Sequence, residues 1–357
     1  MSEHLTKKDK YNKLFYMNRI MKSTTIRDIA REAGVSVSVV SAVINKKDNQ
    51  KIFVGEKKKR KILELIEKYN YIPQKSARAL ASQRTNTMGI IFNSLTPTYA
   101  HLLSLIEEEI SRRGWDVAIY ITDDNPEREE KYLHLMRDGR VDGVIVAAFT
   151  QGSPERYRRY FSLGIKIVVI GPFIEGIPGV YFEEKKAGRV AAEHLVEIGC
   201  KRLCFFGGWK DTERAREFEK YVLERGLPKP LNFTREDFVD KFSVDKELAK
   251  EFFNFSPLPD GVFATNDLAG IALMVEALRR GIKVPQDIAI MGMDNAEICE
   301  YTYPSLTSID LNMELRAKLA IEKLIQLINN EPLEELHTQV PFKLVIREST
   351  KKYKERR

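Results

Sequence analysis

The sequence is poor in the residues that build disulfide frameworks, metal centres and catalytic triads. Its three cysteines are too few and too scattered for a disulfide framework, which suits a reducing cytosol. Cys200 and Cys204 are four positions apart, but no further Cys or His lies around them at zinc-like spacing. We therefore expect these two thiols and that of Cys299 to be buried. The five histidines are isolated along the chain and indicate neither a metal site nor a triad.

Long apolar runs are also missing. No run reaches the ~18 residues that indicate a membrane-spanning helix, and the first 23 residues, rich in Lys and Tyr, lack the apolar core of a signal peptide. These observations predict a cytoplasmic protein without a membrane partner. We expect residues 1–22 and 351–357 to be disordered basic tails, with Met17 and Met21 as alternative starts.

Phosphate-binding loops are absent as well. The sequence contains neither a GxGxxG motif nor a Walker loop, and Gly207-Gly208 alone is too weak a signal. This argues against an enzyme that uses an α/β fold as a nucleotide site. Accordingly, no cofactor and no metal are expected.

Positive charge is concentrated near the N-terminus. The formal net charge is +7, but residues 1–84 hold 20 Lys and Arg against 8 Asp and Glu, a net of +12, while the remainder carries 38 against 43, a net of −5. A basic N-terminal segment on an acidic body is typical of nucleic-acid binding. A solvated basic helix is the alternative explanation.

The segment from Thr25 to Asn45 predicts two short helices around a turn centred on Gly34. Thr25 is a plausible N-cap of the first helix, with Asp28 completing an approximate capping box. The apolar stripe of this helix is formed by Ile26, Ile29, Ala30 and Ala33. Such a pair of helices places the second one in the major groove of DNA. A plain helical hairpin packed in a core is the alternative.

The second helix is the candidate DNA-reading element. Ser36 can cap it, and Val40 and Ile44 lie on its inner side. Its outer side exposes small or polar residues: Val37, Ser38, Ser41, Ala42 and Asn45. The amphipathic segment 57–69 follows as a third helix, and Pro73 suits the first turn of a short further helix over residues 73–82.

The rest of the chain alternates short apolar runs with amphipathic stretches. The predicted strands are 88–92, 116–120, 141–147, 165–170, 202–206, 261–264 and 287–291. The predicted helices are 100–113, 127–138, 154–163, 185–198, 212–225, 245–254, 268–280 and 313–329. This alternation is typical of parallel sheets. We therefore predict an α/β fold of two doubly wound subdomains, with a ligand cleft between them at the carboxyl ends of the strands.

Three motifs stand out in the N-terminal part of the chain: TIRDIAxxAGVS at 25–36, VSxVIN at 40–45 and YxPxxxARxL at 71–80. With these motifs the sequence resembles the lactose/galactose repressor family (LacI/GalR) of bacterial transcription regulators. The body resembles the family's effector domain, which is similar to periplasmic sugar-binding proteins. The resemblance implies a helix-turn-helix domain over 23–72, a hinge helix and linker over 73–84, and an effector-binding and dimerisation domain over 85–350.

The resemblance also implies where DNA and effector bind. The implied partners are double-stranded operator DNA, a second copy of the chain and a small-molecule effector, a sugar. The expected DNA contacts are Thr25, Ser36, Val37, Ser38, Ser41, Ala42, Asn45, Lys75, Arg78 and Leu80, with Leu80 as a wedge in the minor groove. The expected effector contacts are Tyr99, Arg214, Phe242, Asn266 and Asp294. A surface ion pair or cap is the alternative role for Arg214 and Asp294.

The sequence departs from the family pattern at several of these positions. Ala42 replaces a basic base-reading residue, so thymine methyl contacts and DNA shape are expected to carry more of the specificity. Glu184 replaces an Asp, and Gly171-Pro172 replaces an Asp-Arg pair, which leaves the first-subdomain wall with few polar anchors. A nucleobase is therefore the alternative effector. A plain solute-binding protein is the alternative class of function, opposed by the basic three-helix head.

Overall fold

The computed structural model describes residues 24–44, 54–71, 84–209, 212–235 and 242–351. The chain divides into two compact units, Met1–Gln83 and Arg84–Arg357. The predicted tail 1–22 and the predicted hinge helix lie outside the described residues. So does the end of the chain beyond residue 351.

The smaller unit contains the three predicted helices: α1 (Ile26–Ala33), α2 (Val37–Ile44) and α3 (Glu56–Lys68). The predicted capping box of α1 is present, because Thr25 Oγ1 accepts from the Asp28 amide and an Asp28 carboxylate oxygen accepts from the Thr25 amide. Gly34 ends α1 with φ of 71°, a left-handed conformation that costs glycine nothing. The helix-turn-helix geometry therefore follows from local sequence.

A small apolar core holds these helices together. Ile29, Val40 and Ile62 are fully buried, one from each helix, and Leu65 packs beside them. Each such side chain contributes about 1.5–3 kcal/mol of burial free energy. Glu32 on α1 also accepts hydrogen bonds from Lys68 Nζ at 3.0 Å and from the Tyr69 hydroxyl at 2.6 Å, which fastens the end of α3 to α1.

The larger unit contains two six-stranded sheets. The strands are β1 (Thr87–Phe92), β2 (Asp116–Ile121), β3 (Gly143–Ala147), β4 (Ile167–Ile170), β5 (Gly179–Tyr181), β6 (Leu203–Trp209), β7 (Leu231–Arg235), β8 (Gly261–Ala264), β9 (Ala289–Met293), β10 (Thr307–Asp310), β11 (His337–Gln339) and β12 (Lys343–Val345). The first sheet has the order β11-β5-β4-β3-β1-β2 and is parallel throughout. The second sheet has the order β12-β10-β9-β8-β6-β7, and only β12 is antiparallel.

Helices cover the faces of both sheets. They are α4 (Pro97–Arg112), α5 (Pro126–Leu135), α6 (Ser153–Ser162), α7 (Glu184–Glu197), α8 (Glu213–Glu224), α9 (Phe242–Phe252), α10 (Asp267–Arg279), α11 (Ile298–Tyr301) and α12 (Met313–Ile328). We call the first sheet with its helices the first lobe and the second sheet with its helices the second lobe. Helix α12 packs against α4 and against β3, β4 and β5, so it belongs to the first lobe. Helix α7 packs against α8 in the second lobe.

Every strand predicted from an apolar run is present, with small shifts at its ends. The third begins at Gly143 rather than 141, because the Asp142 carboxylate accepts from the Thr85 and Asn86 amides. The last predicted strand, β9, begins at Ala289 rather than 287, because the carboxylate of Asp287 accepts from the Lys283 amide and forms a turn. The expectation of buried thiols is confirmed for all three cysteines.

Candidate functional site

The predicted DNA-reading side of α2 is accessible. Val37 and Ser38 are exposed, and Ser41 and Ala42 are half-buried, whereas Val40 on the inner side is fully buried. The Ser36 carbonyl accepts from the amides of the first turn, as an N-cap residue does, and its hydroxyl lies 2.7 Å from that of Ser38. This surface offers short hydroxyl groups and methyl groups rather than long cationic side chains.

Of the remaining predicted DNA contacts, one is described in the structure and the others are not. Thr25 is described, and its hydroxyl donates to an Asp28 carboxylate oxygen at 2.7 Å, so it also stabilises the start of α1. Asn45, Lys75, Arg78 and Leu80 lie outside the described residues. Their contacts with DNA stay predictions.

A cavity of about 220 Å³ lies between the two lobes, where the carboxyl ends of the strands meet. Tyr99, Arg214, Asn266 and Asp294, four of the five predicted effector residues, line it. The side chain of Phe242, which begins α9, lies outside the described part of the molecule. The structure therefore brings together residues that are nearly 200 positions apart in the sequence.

Arg214 is held by protein groups on the second-lobe wall. Its Nε lies 2.8 Å from a carboxylate oxygen of Glu184, and its Nη1 donates to the Thr265 carbonyl at 3.1 Å and to the Met293 sulfur at 2.9 Å. The side chain is 11% exposed. The ion pair weighed as an alternative role is thus present, and it lies in the cavity rather than on the surface. These contacts fix the guanidinium before any ligand binds.

Close backbone packing sets the position of Arg214. A Cβ on Gly188 of α7 would lie 2.2 Å from the Arg214 carbonyl oxygen, so only glycine lets α7 approach the start of α8 this closely. Glu184 lies one turn before Gly188 on α7. The short distance between these helices therefore places Glu184 within reach of Arg214.

Asp294 occupies an unusual backbone conformation at the end of β9. Its φ is 111° and that of Asn295 is 55°, values that non-glycine residues adopt at a cost of about 1–3 kcal/mol and that cluster at functional sites. The Asp294 carboxylate accepts a hydrogen bond of 3.2 Å from Thr98, the second residue of α4. Because Thr98 belongs to the first lobe, this bond crosses the cavity and joins the two lobes.

Asn266 and Tyr99 have structural contacts besides their place in the cavity wall. Asn266 is the N-cap of α10, and its Oδ1 accepts from the Ala269 amide at 2.8 Å. The Tyr99 ring packs on Phe92 with 5.6 Å between ring centroids. Both side chains are therefore fixed in direction, as a binding wall requires.

Arg316 is a cavity residue that the sequence analysis missed. It belongs to α12 of the first lobe, is 4% exposed and lies with its guanidinium 5.4 Å from the centre of the Phe182 ring. Its Nη1 lies 3.5 Å from the Met313 sulfur, and its Nε has no hydrogen-bond partner among the described residues. A sequence signal existed, because Arg316 follows Met313 by three positions and precedes Ala320 by four on the apolar side of an amphipathic helix.

Burial lowers the pKa of the Arg316 guanidinium to about 10, and the nearby carboxylates of Asp294 and Glu184 oppose this shift. The group stays cationic at neutral pH. No ion pair joins Arg316 to a carboxylate within 4.0 Å in the described ranges, 84–209, 212–235 and 242–351. The first-lobe wall thus presents a buried positive charge.

None of the helices in the described part of the chain is both long and apolar enough to cross a membrane. Within the same part, no group of three or more His, Cys, Asp or Glu could hold a metal ion. The cavity between the lobes brings together four charged side chains, Glu184, Arg214, Asp294 and Arg316.

Two family models match the chain. The model described as bacterial regulatory proteins, lacI family, matches residues 25–74, and a periplasmic binding protein-like domain matches residues 192–350. The ribose operon repressor of Halalkalibacterium halodurans is 31% identical over 92% of this chain and 97% of its own length. The transcriptional repressor PurR of Photobacterium profundum is 30% identical over 92% of this chain and 98% of its own.

Solved structures show the same fold. The lac repressor dimer bound to operator and the anti-inducer ONPF superposes with a TM-score of 0.79 at 22% identity, covering 92% of this chain and 99% of that chain. This likeness confirms the predicted arrangement of a helix-turn-helix region followed by two parallel-sheet lobes. The lacI family match over residues 25–74 and the near full-length repressor relatives argue against a plain solute-binding protein. The chain belongs to the lacI family of bacterial regulatory proteins, which are DNA-binding transcriptional regulators rather than enzymes.

Proposed function

We propose that this protein is a ligand-responsive repressor that binds a near-palindromic operator as a homodimer. A small molecule in the cavity between the lobes controls its affinity for DNA. The observation that carries this proposal is the cavity itself, where Arg214 and Asp294 line one wall and Arg316 lines the other. A dimer is proposed because one recognition helix reads only a half-site. Its DNA partner places the protein in the cytoplasm.

A polyol suits the chemistry of the second-lobe wall. Arginine and aspartate bind paired hydroxyl groups through charge-assisted hydrogen bonds, and the aromatic rings lining the cavity cover the apolar C–H face of a sugar ring. The ribose operon repressor among the relatives supports a sugar. A nucleobase is the second candidate, since Tyr99, Phe149 and Phe182 offer ring faces on which a planar base could stack.

Closure of the cavity is the step that links ligand to DNA. The hydrogen bond from Thr98 to Asp294 joins the lobes without a ligand. A ligand that touches both walls adds contacts that exist only when the lobes are close, and so favours that arrangement. In the proposed dimer, this changes the angle between the two first lobes and thereby the pairing of the predicted hinge helices. Coupling between two such sites is typically ~1–3 kcal/mol.

Two experiments test the proposal in sequence. A gel shift of the full chain on the DNA upstream of its own gene should show specific binding that weakens as salt rises, because phosphate contacts release counterions. Thermal-shift screening of sugars and nucleobases should then find a ligand that raises the melting temperature. Adding that ligand to the gel shift should change operator affinity, and the direction of the change distinguishes an inducer from a corepressor. Unchanged operator affinity in its presence would contradict the proposal.

The predicted hinge helix has its own test. If Leu80 is a minor-groove wedge, Leu80→Ala should weaken operator binding and reduce DNA bending while ligand binding stays intact. Equal affinity and equal bend angle in the variant would rule out the wedge.

A further inference from the structure

The two arginines of the cavity differ in whether a carboxylate of the described residues forms an ion pair with them. Arg214 has Glu184 at 2.8 Å and two further acceptors. Arg316 is more deeply buried, yet the described groups that its guanidinium contacts are a thioether sulfur and the face of an aromatic ring. A buried guanidinium without a carboxylate partner destabilises a protein, because the charge loses its hydration and no negative charge compensates for that loss.

The carboxylates near Arg316 are engaged elsewhere. Glu184 pairs with Arg214, and Asp294 accepts from Thr98. Both lie close enough for their charge to act on Arg316, but neither forms an ion pair with it. A neutral polyol could satisfy the Nε hydrogen bond of Arg316, but it could not neutralise the charge. An oxyanion does both, and guanidinium groups bind carboxylates and phosphates in a two-pronged geometry.

We infer that the effector is an acidic polyol, with a carboxylate or phosphate that binds Arg316 while its hydroxyl groups bind Arg214 and Asp294. This inference rests on the proposed function, because it assumes that the effector occupies the cavity. The arrangement also explains closure. Arg316 belongs to the first lobe and the other two residues to the second, so one ligand with an acidic end and a hydroxylated end joins both walls.

The size of the cavity limits the ligand. Its volume of about 220 Å³ is below the ~300–1,000 Å³ of clefts that enclose drug-sized molecules. A single sugar unit with one acidic group is therefore the expected scale. The inference covers carboxylates and phosphate esters alike, and the probes below distinguish them.

The test compares matched neutral and acidic probes on the full-length protein. The pairs are D-glucose with D-gluconate and D-ribose with D-ribose 5-phosphate, with affinities measured by calorimetry. At least one acid should bind the wild type about tenfold to a hundredfold more tightly than its neutral partner, the contribution of one charged hydrogen-bonded pair. Arg316→Met should remove this preference and Arg316→Lys should retain part of it.

A second measurement separates ligand recognition from a structural role. Without ligand, Arg316→Met should melt about 2 °C higher or more, because a buried charge that has no ion-pair partner among the described residues is replaced by an apolar side chain of similar length. Lys323→Met is the matched control, because Lys323 is a buried cation on the same helix that donates to the Glu335 carbonyl at 2.6 Å. It should leave the acid preference unchanged.

Each result decides the inference. Equal or tighter binding of the neutral probes, no binding of either acid, or a lower melting temperature in Arg316→Met would overturn it. The proposed function fails on a different result: a ligand whose affinity is unchanged by both Arg214→Ala and Asp294→Ala does not bind in the cavity.

Discussion

The two walls of the cavity differ in how their arginine side chains are paired. On the second-lobe wall, Arg214 is enclosed by acceptors of the protein, and Asp294 is fixed by a backbone conformation that few residues adopt. On the first-lobe wall, Arg316 is more buried and has fewer polar partners. One wall is thus arranged before ligand binding, which lowers the entropy lost when ligand binds. The other retains a charge that binding can neutralise.

The largest expected effect comes from removing the arranged arginine. Arg214→Ala should lower effector affinity at least about tenfold, because each lost partner in a closed site costs ~1–3 kcal/mol. It also leaves Glu184, which is 28% exposed, without its cation. Titration of the screened ligand by calorimetry measures the change, and operator affinity without ligand should stay nearly the same. Full ligand affinity in the variant would show that the second-lobe wall is not the binding wall.

Gly188→Ala tests whether close helix packing sets that wall. The added Cβ would meet backbone atoms of Arg214, which cannot move as a flexible side chain does, so the free energy of unfolding should fall by about 1–3 kcal/mol. Urea unfolding measures this. Lys186→Ala, at an exposed position on the same helix, is the control and should change stability by less than about 0.5 kcal/mol. Equal stability of the two variants would mean that the helices separate without cost.

The bond across the cavity should have a smaller effect. Thr98→Val removes the hydroxyl that donates to Asp294 while keeping the shape of the side chain. A single hydrogen bond contributes about 0.5–1.5 kcal/mol, so effector affinity should change about two- to tenfold. Thr96→Val is a less suitable control, because Thr96 caps α4. Thr338→Val, which alters a hydroxyl bonded to Glu335 away from the cavity, should leave affinity unchanged.

The smallest expected effect is a pH dependence of the stability of the second lobe, and it does not involve the arginines. Burial lowers the pKa of His194 on α7 below its ordinary 6.5. The unfolded chain therefore takes up the proton first as pH falls, so His194 stabilises the fold fully above pH 6.5 and progressively less below it. Urea unfolding measures the free energy of unfolding at about pH 7.5 and at about pH 5.5. Between these two pH values, it should fall less in His194→Gln than in the wild type.

The sequence predicted the helix-turn-helix and the central strands because their signals are local. A capping box at Thr25, a glycine at 34 and apolar runs such as residues 88–92 each specify one element through nearby residues. The structure adds short strands that the sequence analysis missed: β5, β7, β10, β11 and β12. These strands are short or contain polar residues, as in HTQ of β11 and KLV of β12. The pairing of β11 with β5 and of β12 with β10 also depends on chain segments that cross between the lobes.

Some of the residues that line the cavity could be predicted from the sequence, and others could not. Resemblance placed Arg214 and Asp294, and the structure brings both to one cavity. Arg316 was missed because the helix pattern alone does not tell whether a charge within an apolar stripe meets solvent, a partner or an open space. Only the packing of α12 against the first lobe, with Phe182 beneath the guanidinium, decides this.

Asp294→Asn shows whether a ligand in this cavity controls DNA binding. Operator affinity is measured by fluorescence anisotropy with and without saturating effector, for the wild type and the variant. We predict that effector changes the wild-type affinity about 5- to 150-fold. At the same effector concentration, the variant should keep its effector-free operator affinity and show little or no response. A variant that responds to effector as the wild type does would contradict the account.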